Sequence, residues 1–264
     1  MHSAVSSFYQ TRQENDKSSF LDVIFLNEGL EDFEKLSKQT KDLSKGWFEL
    51  LNLDNFDKIS FLKEFWLTNL PYSKKNHENI LHFFSRIDDV FIVLTKKENE
   101  KLFSADLVYS MMNEKSFFRG KFSLNDDEIE GVNRQFLNQL PKDYLKFLKI
   151  HSSFAKTNDT GIIDARDLRN FKNCFYDQMK IRDIKSGSES INPNSLIPFY
   201  KSFDSMDFQC FYLDWYPELN LGNVFFSSKD NIISQYKNVQ NGHDLAFYSF
   251  LDWLFFYLED FETG

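Results

Sequence analysis

The sequence predicts an α+β protein in which helices lead, twice over, into antiparallel strands. Three observations carry that expectation. Apolar residues recur at spacings of three and four between Leu30 and Phe84. Short β-rich runs separated by polar turns then fill residues 89–124. Helix-starting chemistry begins afresh at Asn125, ahead of a second set of short strands.

Residues 1–19 are polar and unpatterned and are expected to form a mobile tail. From Asp22 to Leu53 the apolar series Leu30, Phe33, Leu36, Leu43, Trp47, Leu50 and Leu51 predicts one or two amphipathic helices, broken near Lys45-Gly46. Asp54 or Asn55 can cap a further helix through Ile59, Leu62, Phe65 and Trp66, which Asn69-Leu70-Pro71 ends. A helix from about Asn76 to Ser85 places Ile80, Phe83 and Phe84 on one side. The runs Asp89–Lys97, Lys101–Met112 and Ser116–Leu124, joined by "KENE" and "NEK", predict a three-stranded antiparallel meander.

Asn125 suits a helix cap, and Asp126, Asp127 and Glu128 complement the positive end of the helix dipole. A fresh helix after a finished meander places a domain boundary near residue 125, giving 20–125 and 126–264 as the two domains. In "QLPKDYLKFLKIHSS" (139–153), Pro141 fits the first helical position and Asp143 the first turn. Leu140, Tyr144, Phe147, Leu148 and His151 share one face, which burial alone explains. A short strand and a helix capped by Asp164 should follow, then a polar loop from Lys185 to Ser195. Three strand-like runs, "LIPFYKS", "DFQCFYLDW" and "GNVFFSS", precede a closing helix over about Asp244–Glu259 that is apolar around most of its girth.

Composition narrows the functional classes. Phenylalanine is the outlier, at 31 of 264 residues against 9 Gly and 5 Pro, which implies regular structure packed around rings. Acids outnumber bases 40 to 31, and the bases are scattered, usually beside acids, so no phosphate-binding surface and no nucleic-acid partner are expected. Cys174 and Cys210 are too far apart for a C-x-x-C site and fit buried thiols in a reducing compartment. No signal peptide opens the chain, and the apolar run Phe250–Leu258 is too short to span a bilayer, so a cytoplasmic protein without a membrane partner is expected.

Motifs for chemistry are missing. The chain has neither G-x-x-x-x-G-K-[ST] nor G-x-G-x-x-G, and "SGSESIN" lacks the G-x-S-x-G spacing. His77 and His82, five apart, point away from each other on a helix, unlike a zinc pair. No catalytic residue, metal ligand or cofactor is therefore assigned. "DFQCFYLDWYPELN" (207–220) does stand out. On a strand it carries Phe208, Cys210, Tyr212 and Asp214 on one face and Gln209, Phe211, Leu213 and Trp215 on the other. Either the strand is buried on both faces or a ring is offered to a partner.

Residues 126–262 resemble the SUKH superfamily, which includes fungal cell-wall-synthesis regulators and bacterial immunity proteins. Ile129, Val132 and Phe136 lead into "LPKDYLKFL" (140–148), similar to the family's Leu-Pro-x-Asp-Tyr-x-x-Phe-Leu pattern. "GIIDARDLRNF" resembles its strand and polar-capped helix, and Leu196–Trp215 its Ile-Pro-Phe strand, acidic turn and aromatic strand. Where the family continues with Asn-Gly-Gly, this chain departs, with "HSSFAK" (151–156). The resemblance implies a C-terminal SUKH-like antiparallel sheet packed by helices and a binding module without a shared catalytic site. Its partner would be another protein, such as a basic toxin met by an acidic immunity protein. Asp204, Asp207, Trp215 and Tyr216 are the candidate partner-binding residues. An adaptor or regulator is the alternative of the same class, and an enzyme with a carboxylate cleft between the halves the alternative of another class.

Overall fold

In a computed structural model of the chain, the described residues are 3–14, 20–26, 33–98, 100–203, 205–237 and 245–259. They form an α+β fold with mostly antiparallel strands. The chain divides into two units, Met1–Ser123 with Phe154–Asn158 and Leu124–Ser153 with Asp159–Gly264.

The first unit is built from α1 (Ser3–Glu14), β1 (Phe20–Phe25), α2 (Phe33–Gln39), α3 (Lys45–Leu50), α4 (Asn55–Asn69), α5 (Lys74–Ser85), β2 (Ile87–Lys97), β3 (Ser104–Met111), β4 (Phe117–Lys121) and β5 (Phe154–Lys156). The five strands pair antiparallel in chain order. Asp54 and Ser73 start α4 and α5 by accepting from the backbone N–H of Asp57 and Asn76. Both faces of the sheet are covered. Phe91, Val93, Val108 and Phe117 pack with Val5, Phe8 and Tyr9 of α1. On the other face Trp66 of α4 meets Phe83 and Phe84 of α5, Tyr109 of β3 and Phe154 of β5 at ring separations of 5.5–6.3 Å. Trp66 Nε1 donates to the Tyr109 hydroxyl at 3.3 Å, so the buried indole keeps a partner.

Two expectations are corrected here. Where the sequence suggests a tail, Ser3–Glu14 is a helix whose Val5, Phe8 and Tyr9 are buried. Three spaced apolar side chains suffice to dock one face of an otherwise polar helix. Phe20–Phe25 is a strand on β2 rather than the approach to a helix, because pairing on an existing edge outweighs weak helical spacing.

The second unit contains α6 (Asp126–Gln135), α7 (Lys142–Phe147), β6 (Gly161–Ile162), α8 (Leu168–Met179), β7 (Ile184–Ser186), β8 (Glu189–Ile191), β9 (Leu196–Lys201), β10 (Phe208–Tyr212), β11 (Asn223–Ser227), β12 (Ile232–Ile233), β13 (Ala246–Phe247) and α9 (Phe250–Leu258). Its strands run in the order β6-β9-β10-β11-β12-β7-β8, with β13 also on β11. β12 and β7 are parallel. Pro198 has no N–H to give the ladder, and at that point Phe199 bulges, since Gln209 pairs with Tyr200 and Cys210 with Pro198.

Asn125 and Glu128 form a reciprocal capping box on α6. Asp164 does not cap α8, which starts at Leu168. It shapes the preceding turn instead, accepting from Arg166 N–H at 3.0 Å and the Ser152 hydroxyl at 3.2 Å. The stretch expected as a polar loop holds the β7–β8 hairpin, turned at Gly187 with φ +59°. The closing helix begins at Phe250 rather than near Asp244, which lies outside the described residues. The pair Ala246–Phe247 is taken by the β11 edge instead.

Asp143 has a role that its position on α7 does not reveal. One carboxylate oxygen accepts from Tyr144 N–H at 3.0 Å and the other from Leu251 N–H at 2.9 Å, so it caps α9 from 108 residues away. Burial, reinforced by Asp252 nearby, raises its pKa.

These contacts make two expectations measurable. Tyr9→Ala should lower stability by about 3 kcal/mol, because it empties a ring site and removes the 3.0 Å bond to Asp106. An unchanged urea midpoint would make α1 dispensable. Asp143→Ala should cost about 1–2 kcal/mol by orphaning two N–H groups, and Asp143→Asn less. A carboxyl with a raised native pKa holds its proton more tightly folded than unfolded. Its contribution is therefore full below the ordinary Asp value of about 4 and is lost as pH rises through the native value. Asp143→Asn should flatten that fall, and equal slopes in the two proteins would refute the assignment.

Candidate functional site

Strand β10 lies at the centre of the site, and all five of its residues are buried. Phe208, Cys210 and Tyr212 pack with Phe175 and Met179 of α8, while Phe211 stacks on Phe199 at 4.1 Å and meets Tyr144 and Phe250. Simple burial therefore accounts for these aromatics. Trp215 departs from the expected alternation: the strand stops at Tyr212, and Trp215 N–H turns back to the Tyr212 carbonyl at 3.0 Å. Trp215 thus joins the same aromatic group as Tyr212, and both touch Tyr236.

The β10–β11 connection is a loop with a closed neck. Tyr212 N–H donates to the Gly222 carbonyl and Gly222 N–H to the Trp215 carbonyl, each at 3.0 Å. Trp215 lies across Gly222, where a Cβ would come within 2.3 Å of the ring, so no larger residue fits without displacing it. Tyr236 and Tyr248 flank the indole at 5.5 and 5.9 Å. Beyond the neck a 3-10 turn, Pro217–Leu219, carries Glu218 at φ +49° and Leu219 at φ +66°. Neither residue adopts the left-handed region readily. Tyr216 is 54% and Leu219 96% exposed.

Beside Tyr236 lies a surface hollow lined by Ser186–Glu189 and Gln235–Lys237. Glu189 is held there by Lys237 and accepts from the Tyr236 hydroxyl. The Lys237 ammonium keeps the Glu189 carboxyl below its ordinary range, and Tyr212 is pushed up by burial and its neighbour Tyr236.

The four candidate partner-binding residues separate. Asp204 lies outside the described residues. Asp207 sits in the β9–β10 turn and accepts from Ser228 N–H at 3.0 Å. Trp215 and Tyr216 lie past the other end of β10, separated from Asp207 by a strand ~13 Å long. Of the pair, Trp215 is a half-buried anchor and Tyr216 an exposed ring. Gly222, Tyr236, Tyr248 and Leu219 were not singled out by the sequence. A glycine directly before the "NVFF" run was the available signal for the tight neck. The divergent "HSS" is turned inward: His151 and Ser152 are fully buried.

Charge is divided along the chain. Residues 202–264 hold ten Asp and Glu against two Lys (229 and 237), a net of −8, while residues 1–201 hold 30 acids and 29 bases, a net of −1. From Ser202 to Ser228 there is no Lys or Arg. Several earlier acids of this unit are paired, as Asp126 with Lys149, Glu128 with Arg166 and Asp183 with Lys185. Asp207, Asp214 and Glu218 have no cation partner among the described residues.

Among the described residues, no group of three or more His, Cys, Asp or Glu is arranged to hold a metal ion, and no helix is long and apolar enough to cross a membrane. The two acids with pKa values raised by burial, Asp143 and Asp164, are engaged by backbone N–H groups. Comparison with protein-family models, curated proteins and solved structures returns no match.

Gly222→Ala tests the neck. It should cost about 1–3 kcal/mol through overpacking, shift the Trp215 indole resonance and expose the Tyr216–Leu219 turn to proteolysis. An unmoved resonance at unchanged stability would show that the loop does not depend on this contact.

Proposed function

We propose that the protein is a non-enzymatic protein-interaction protein whose second unit is a SUKH-like binding domain directed at a basic partner. Neutralisation of a toxin is the most concrete form of that role. The observation that carries the reading is the division of charge, with a net of −8 over residues 202–264, and beside an exposed apolar turn two carboxylates, Asp214 (which accepts from the Ser195 hydroxyl) and Glu218, without a cation partner among the described residues. A one-signed field of this kind speeds encounter with a surface of opposite sign and disfavours others.

The order of elements adds support. α6, the Leu-Pro-Lys-Asp-Tyr helix α7, β6, α8, the strands β9 to β11 and the closing α9 follow one another as the resemblance implies. In this reading the motif is structural. Tyr144 and Phe147 fill the core under α9, and Asp143 caps that helix.

Affinity capture from a lysate of the source cells at about 0.15 M salt, followed by mass spectrometry, provides the test. A basic protein should be recovered, should be released at about 1 M salt, and should lose its toxicity in a bacterial host that co-expresses this chain. Recovery of no protein overturns the interaction reading. A basic but harmless partner overturns immunity and leaves an adaptor or regulator.

A further inference from the structure

We infer that the Leu213–Leu221 loop is the contact edge, with Leu219 as the apolar anchor that enters a pocket on a basic protein surface. Tyr216 flanks the anchor, and Asp214 and Glu218 meet Lys or Arg at the pocket rim. The inference rests on the interaction reading above and names the surface that serves it.

Leu219 is 96% exposed, the most exposed of the large apolar side chains among the described residues. An isolated exposed leucine is ordinary. This one is fixed in place: its loop is closed at the neck by two backbone bonds, and Trp215 locks that neck against Gly222, Tyr236 and Tyr248. The tip is tied by Asn220 N–H to the Pro217 carbonyl at 2.9 Å. A rigid apolar projection loses little freedom on binding.

Charge selects the occupant. The loop carries Asp214 and Glu218, no base occurs within Ser202–Ser228, and neither acid has a cation partner among the described residues. A second copy would set acids against acids. Anionic leaflets would repel the same groups. A protein surface that is basic around an apolar pocket fits both features.

Leu219→Asn tests the anchor, since Asn has similar size, accepts the left-handed region and replaces the apolar tip with an amide. Ile181→Asn, at a site 87% exposed in the same unit, serves as the control. The protein captured in the preceding experiment is purified and titrated calorimetrically against wild type and each variant, whose melting temperatures are checked first. Leu219→Asn should weaken binding at least about tenfold, Glu218→Lys severalfold with a shallower salt dependence, and Ile181→Asn less than twofold. Binding by Leu219→Asn within twofold of wild type overturns this surface and leaves the interaction reading intact. Failure to capture any protein overturns that reading, and this inference with it. Self-association, or binding to phosphatidylserine vesicles, that Leu219→Asn abolishes would assign the loop to a second copy or a membrane, and so overturn the basic partner.

Discussion

A buried pair of amides governs the region that carries the proposed contact loop. Gln209 on β10 donates through Nε2 to Asn223 Oδ1 at 2.7 Å and to the Leu245 carbonyl at 3.1 Å. Asn223 on β11 donates through Nδ2 to the Ser249 carbonyl at 2.9 Å. Both side chains are almost wholly buried, so a missing partner would cost about 1–3 kcal/mol. The pair therefore fixes the 245–249 segment against the sheet. Tyr248 lies within that segment and packs on Trp215. Ser249 caps α9 by accepting from Asp252 N–H. One polar contact thus sets the closing helix and the aromatic support of the exposed loop together.

The neighbouring residue makes the arrangement economical. Gly222 leaves room for the Trp215 ring, and Asn223 beside it holds the segment that carries Tyr248. Asp143 fastens the other part of the same helix start through Leu251. Two independent acceptors, one on α7 and one at Ser249 itself, serve orphan N–H groups in the first turn of α9. The helix is apolar on nearly every side, and without such anchors its burial would define depth but not orientation.

Much of this was legible in the residues. Asp54 and Asn125 are side chains that cap by local geometry, and the helices they start lie where spacing places them; Ser73, which starts α5 two residues before the expected Asn76, was not read as a cap. The meander was readable because β-branched and aromatic runs alternate with short polar turns. What failed needed distant partners. The helix carrying Tyr9 is polar on average and is held by Asp106, 97 residues on. The cap from Asp143 to Leu251 spans 108 residues. The acidic C-terminal quarter was open to inspection, but a whole-chain balance of 40 to 31 conceals a division that only segment counts expose. Trp215 was singled out, yet its part as an anchor depends on its ring lying across Gly222 at the neck, which strand alternation cannot supply.

The backbone of the turn gives a last constraint. Glu218 and Leu219 both lie in the left-handed region, at about 1–2 kcal/mol per residue for side chains of their kind. A glycine or asparagine at either position would relieve that cost without disturbing the neck, whose bonds come from Tyr212, Trp215 and Gly222. The strained residues are also the charge and the apolar group at the tip, Glu218 and Leu219. Stability alone favours different residues there. The sequence that stands is the one that holds a carboxylate and a leucine at the exposed tip of a supported turn, the arrangement on which the proposed contact with a basic, pocketed surface rests.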